Sequence, residues 1–387
     1  MDNGSYFPTD AFVEILLRIP PSSWRRLRLV CRHWREVIDE RAPEKRSRPK
    51  ALTFVARNKS ASAFVIEDIP DGPWPCRVVW TDGVTPGTDH RPAFRTEMLG
   101  TCNGLLCLYT TTGGGAISLV NPITGEMPLA LPPLPRSGRI VSRNYERHEA
   151  YSFGFLPTTG QYKMVRFPCY LDNTHQFIDV QVLTVGEASW HNVPAPPRST
   201  CCLASGIMIL DGTVHWVTKD TGRLASLDLS DERFTPTMSL PVPFGPGFLT
   251  RLTEVCGRLG IIASVDHWTP AKTEVWVLGD GQRATKGCRV QVHGVKRRLP
   301  RPHFAHGGCV LTYDQSVLFG HMLSGEGRLQ CHDVRISTRK PKTQQVASVK
   351  GYICAIFAYV ETKEALSVYR IGHLNNWAHS LYSSPAL

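Results

Sequence analysis

After Lys50 no stretch of this chain carries helical periodicity, and that absence restricts its fold more than any other feature. Short runs of Val, Ile, Leu, Phe, Tyr and Trp recur instead, bounded by Gly, Pro, Asn and Asp, as strands are. Units open near Asn103, Tyr151, Ser205, Leu252 and Ala305, a spacing of roughly 45–55 residues. Each unit holds three or four strand-length runs. Each ends in a turn or a Pro-rich exit such as Pro132-Pro133 or Pro194-Ala195-Pro196-Pro197. Asn103-Gly104 and Asp211-Gly212 stand between paired runs and predict tight hairpins. A sheet of this kind cannot bury both faces alone, whereas neighbours in a ring can. The period therefore predicts a β-propeller, with β-sandwiches of coincidental spacing as the competing arrangement. Closing such a ring would pair the run Ala51–Ala56 with the last runs, Tyr352–Val360 and Ala365–Ile371. A parallel α/β fold has no helices to draw on.

The first forty residues differ. Phe12, Ile15, Leu16 and Ile19 are spaced as one face of a helix. Leu27, Val30, Cys31, Trp34 and Ile38 repeat the pattern. Asp10 is read as the N-cap of the first helix and Ser22 or Ser23 as that of the second. Pro20 and Pro21 separate the two, because proline lacks the amide donor and restrains the residue before it. The solvent face of the second helix carries Arg25, Arg28, Arg32 and Arg35. Two short helices cannot cover this much apolar surface on each other. Each large side chain left in water forfeits about 1.5–3 kcal/mol, so the helices pack on the rest of the chain or on another protein.

Order and spacing here resemble the F-box, the helical module that docks F-box proteins on the Skp1 adaptor of SCF-type ubiquitin ligases. The carriers are Phe7-Pro8-Thr9-Asp10-Ala11, Glu14-Ile15-Leu16, Arg18-Ile19-Pro20, Arg28-Leu29-Val30-Cys31 and Trp34. Phe7 and Ala11 stand where the family has Leu, and Trp24 where Leu is common. The resemblance implies an adaptor face formed by Phe7, Pro8, Ile15, Leu16, Ile19, Pro20, Leu27, Val30, Cys31 and Trp34. A second, softer resemblance is to the F-box-associated, kelch-like or propeller-like region of the large plant F-box family. It rests on Cys102-Asn103-Gly104-Leu105-Leu106-Cys107, Val120-Asn121-Pro122-Ile123-Thr124-Gly125, Tyr151–Phe155, Asp211-Gly212-Thr213-Val214-His215-Trp216 and Leu224–Leu229.

The expected fold is a small all-α N-terminal F-box module followed by an all-β domain, a β-propeller. The expected division is 1–41 for the F-box module, 42–50 for a charged linker, 51–371 for the β domain and 372–387 for a tail. The resemblance implies a substrate receptor of an SCF-type E3 ubiquitin ligase. Its partners would be a Skp1-like adaptor, a cullin through it, and a protein target that the sequence does not name. The competing readings are a kelch-like propeller enzyme and a binding module outside SCF.

Charge and motifs narrow the remaining classes. The formal charge is +11, with basic clusters at 25–35, 41–50, 296–301 and 335–342. None interleaves aromatics as a base-stacking surface does, so nucleic acid is not an expected partner. Lys296–Arg301 reads as an exposed loop or a nuclear-import signal. No run approaches the roughly 20 apolar residues that span a bilayer, and the start MDNGSYFPTD has no signal-peptide character. The expected location is cytoplasmic, nuclear or both, and the 12 cysteines read as free thiols. Neither a Gly-x-Ser-x-Gly elbow nor a Walker loop, His-Glu-x-x-His or Gly-x-Gly-x-x-Gly occurs, so no catalytic residue and no cofactor is expected. A zinc site would need scattered ligands such as His303, His306, Cys331 and His332. Trp190, Trp216 and Trp276 are read as core residues before ligand platforms, and His215 as a hydrogen-bonded strand histidine.

Overall fold

The computed structural model describes residues 8–19, 27, 30, 31, 33, 34, 37, 50–56, 60–66, 76–82, 96–110, 115–135, 149–169, 175–242, 244–245 and 247–255. It further describes 258–265, 273–278, 290–292, 303–305, 309–314, 316–322, 334–336, 343–348 and 351–370. Among these, the chain after Lys50 is a succession of antiparallel sheets, five of four strands and one of three, plus a two-stranded parallel pair. The sheets follow one another along the chain as propeller blades do.

Blade two shows why this sequence gives this sheet. Its strands are Thr96–Cys102, Leu105–Thr110, Ala116–Val120 and Leu129–Ala130, hydrogen-bonded in that order. Asn103 and Gly104 make the first turn with φ of 46° and 82°, the left-handed pair that a two-residue hairpin requires. Leu105 through Leu108 are all buried, because side chains alternate between faces and both faces are covered. Leu106 and Leu108 pack against Leu52, Phe54 and Val65 of blade one. Leu105 and Cys107 pack against Phe153, Tyr162 and Met164 of blade three.

Blade three is Glu149–Leu156, Gln161–Pro168, Asp179–Thr184 and His191–Pro194. It repeats the arrangement: Tyr162 and Met164 face blade two, while Val165 and Phe167 face blade four. Blade four is Ile207–Leu210, Thr213–Val217, Arg223–Asp228 and Arg233–Ser239. It contributes Val214, Trp216, Leu227 and Leu229 to the shared cluster. Strand runs that look uniformly apolar are thus two half-faces serving two different neighbours.

The ring closes through blade one. Tyr352–Tyr359 pairs with Lys50–Ala56, which pairs with Ala61–Ile66 and then Cys76–Thr81. The closure expected between the first strand and Tyr352–Val360 is therefore present in register, Ala51 opposite Ala358 and Phe54 opposite Ala355. Ala51, Val55, Ile353 and Ile356 complete a cluster with Leu311 and Leu318 of the last blade, whose strands begin at His303 and end at Ser348. The run Ala365–Ile371 was expected as a strand and is not one. Leu366–Tyr369 is a short 3-10 turn, and Leu366 is wholly buried against blades two and three.

A candidate adaptor-docking module on a closed β-propeller

The N-terminal helix spans Thr9–Arg18. Its N-cap position is Pro8, not the Asp10 expected from sequence; Asp10 lies in the first turn, where its charge still favours the helix dipole. The helix ends at Arg18, with Ile19 extended just ahead of Pro20. Phe12, Val13 and Leu16 are buried together with Val37, and Ile19, Leu27 and Trp34 pack round them. The rings of Phe12 and Trp34 lie 4.4 Å apart at their centroids. The Trp34 backbone N–H donates to Cys31 Sγ at 3.4 Å, and that of Val30 to the Leu27 carbonyl at 3.1 Å.

The ten residues expected to meet an adaptor therefore separate. Leu16 has no exposed surface and sits in the module's own small core, and Ile19, Leu27 and Trp34 flank it. Pro8, Ile15, Val30 and Cys31 are exposed, Ile15 at 41% and Val30 at 59%. Phe7 and Pro20 lie outside the described residues, as do Ser22, Ser23 and the four arginines of the second helix. Helical periodicity marks Ile15, Leu16 and Ile19 as one apolar side but does not distinguish the inner layer from the outer.

On the propeller, Arg166 anchors blade three. Its guanidinium is buried and donates to Glu149, to Gln181 Oε1 at 2.8 Å and to the Pro135 carbonyl at 2.9 Å. Burial alone would lower the Arg166 pKa, but the bond and charge of Glu149 outweigh it and raise the value. Tyr151 also donates to Glu149, and burial followed by that carboxylate's charge raises its phenol pKa. Between blades three and four, Lys163 Nζ donates to the Leu229 carbonyl at 3.0 Å, and Glu232 lies 2.7 Å from His191 Nε2. These side chains bind blade to blade.

The tryptophans read as core residues are placed accordingly. Trp216 is 2% exposed and donates to the Thr200 carbonyl at 3.1 Å, Trp190 donates to the Pro132 carbonyl at 3.2 Å, and Trp276 packs beside Ile261. His215 Nδ1 meets Ser226 Oγ at 2.9 Å, and burial lowers its pKa to about 4. Cys107, Cys169, Cys201 and Cys202 are buried free thiols. His306, Cys331, His332 and the basic run 296–301 lie outside the described residues. Among the described residues no helix is long and apolar enough to cross a membrane.

Comparison with known proteins agrees with this geometry. Residues 82–283 match the F-box associated beta propeller domain, and residues 5–45 match the F-box domain. F-box protein At3g07870 of Arabidopsis thaliana is 23% identical over 328 residues, covering 76% of each chain. F-box protein At2g43440 of the same plant is 22% identical over 374 residues, 93% of this chain and 84% of that protein. F-box/kelch-repeat protein At3g23880, also of Arabidopsis thaliana, is 24% identical over 302 residues, 70% of this chain and 75% of that one. With a helical module matched at one end and the propeller match spanning more than half of its length, the chain belongs to the F-box proteins that carry an F-box associated β-propeller domain.

Proposed function

We propose that the protein is the substrate receptor of an SCF-type ubiquitin ligase. The F-box module holds a Skp1-like adaptor and, through it, a cullin; the propeller holds a protein target. The observation that carries this reading is the outer layer of the module, where Pro8, Ile15, Val30 and Cys31 stay exposed over a core already filled by Phe12, Val13, Leu16 and Val37. Exposed aliphatics over a completed small core are what a docking face requires. The receptor does no chemistry of its own. It raises the effective concentration of target lysines near a ubiquitin-loaded enzyme.

Contacts of the turns divide the propeller into two ends. The Asn103-Gly104 and Asn121–Met127 turns share one end with the exit of the closing strand at Tyr359. Because its strand partner is antiparallel, Lys50, where the chain arrives from the F-box module, lies at that end too. Tyr352 opens the closing strand at the opposite end and is 62% exposed. We assign target binding to that opposite end.

The test is adaptor capture by the purified full chain. Ile15→Glu with Val30→Glu is expected to lower binding to a Skp1-type adaptor at least a hundredfold while leaving the thermal transition of the β domain in place. Undiminished capture by that variant contradicts the assigned face. Leu16→Ala with Trp34→Ala is a poorer probe, since both side chains belong to the module's own packing and their loss disrupts the module itself.

A further inference from the structure

Beyond the closing strand, residues 361–370 stay against the ring. We propose that the Asn121–Met127 turn and the floor between blades two and three form a peptide-binding cradle whose ligand is the chain's own segment 361–370, a latch over the ring closure.

The cradle reads backbone more than side chain. Asn121 is 1% exposed, and both ends of its amide are hydrogen-bonded. Its Oδ1 accepts from Ile123 N at 2.9 Å, and its Nδ2 donates to the carbonyls of Thr362 at 3.2 Å and Glu364 at 2.7 Å. Glu126 accepts from the backbone N–H of Leu366 at 2.6 Å and of Ser367 at 3.4 Å. The Met127 carbonyl accepts from Arg370 at 2.7 Å. These are carbonyl, amide and charge contacts that fix the course of a peptide. One side chain supplies the apolar anchor: Leu366 is wholly buried among Leu129, Leu131, Phe153, Phe155 and Tyr162.

Two further features fit a segment laid on the surface. A Cβ at Gly104 would strike the Val360 carbonyl oxygen and Thr362, so the hairpin turn of blade two must be bare where the segment crosses it. Tyr369 reaches blade three, its ring edge-on to Tyr162 at 5.9 Å, while its hydroxyl donates back to Glu364 at 2.6 Å. The segment thus begins where the closing strand of blade one ends and is fixed to the next two blades. The closing strand is held by its ladder on one side and by the latch just beyond its last residue. The Asn-Pro-Ile-Thr-Gly-Glu motif, which reads as a turn, is the cradle's working surface. A peptide that forms a single 3-10 turn with a leucine at its first position is the class of ligand it accepts.

Hydrogen exchange on the full chain tests this, independently of adaptor binding. Asn121→Ala is expected to speed exchange of the 362–370 amides at least tenfold while leaving the strands of blade four unchanged. Glu126→Gln, a surface change, is expected to speed the Leu366 and Ser367 amides threefold or more. Unchanged exchange across 362–370 in both variants overturns the proposal. A uniform loss of protection over all blades also overturns it, because the segment would then be part of one cooperative core rather than a separate latch.

Discussion

His215 shows how a single side chain ties stability to pH here. It lies on the second strand of blade four, bonded to Ser226, and burial lowers its pKa from 6.5 to about 4. The native state therefore binds fewer protons than the unfolded chain between those values. The stabilisation is complete above about 6.5 and is lost as the pH falls toward 4. His215→Gln is expected to flatten the pH dependence of the urea midpoint: relative to the variant, the native protein should lose about 1–2 kcal/mol between pH 7 and pH 5. Parallel profiles for the two proteins would remove His215 as the cause. The sequence indicated a strand histidine at this position. Its titration depends on how deeply neighbouring strands cover it, which no local pattern encodes.

At the scale of elements, turns and strand alternation were readable and long-range caps were not. Asn103-Gly104 and Asp211-Gly212 adopt the positive φ pairs that their residue types favour, so local chemistry was enough. The burial of both faces in blade two follows from the uniformly apolar run Leu105–Leu108. Leu106→Ala is accordingly expected to cost about 2–5 kcal/mol, read as a lowered thermal midpoint. Met127→Ala, at a side chain 61% exposed, should stay within about 0.5 kcal/mol. Similar losses in both would mean that the inter-blade clusters do not carry the stability. The segment Ala365–Ile371 was misread because its conformation is imposed from far away. Glu126, about 240 residues earlier, takes the N–H groups that would otherwise seek a ladder, and the pocket for Leu366 comes from two other blades. In the F-box module the limit is similar: helical spacing marks an apolar side, but only packing tells that Leu16 turns inward and Ile15 outward.

At the scale of the molecule, the chain divides its work. The propeller obtains closure from strands about 300 residues apart in sequence, an arrangement that the need to remove exposed edges made legible in advance. The F-box module carries a small core of its own, with Ile15 and Val30 exposed outside it. A closed ring joined to a short helical module is the architecture that the proposed receptor role requires. Loop sequence does not name the target, since recognition depends on how loops from several blades combine. The central claim is membership of an SCF assembly, and co-purification of the full chain from a plant extract tests it most directly. A Skp1-type adaptor and a cullin are expected to come down with the native chain in near-equal amounts and to be lost with Ile15→Glu plus Val30→Glu. Recovery of the folded chain without either partner would contradict it.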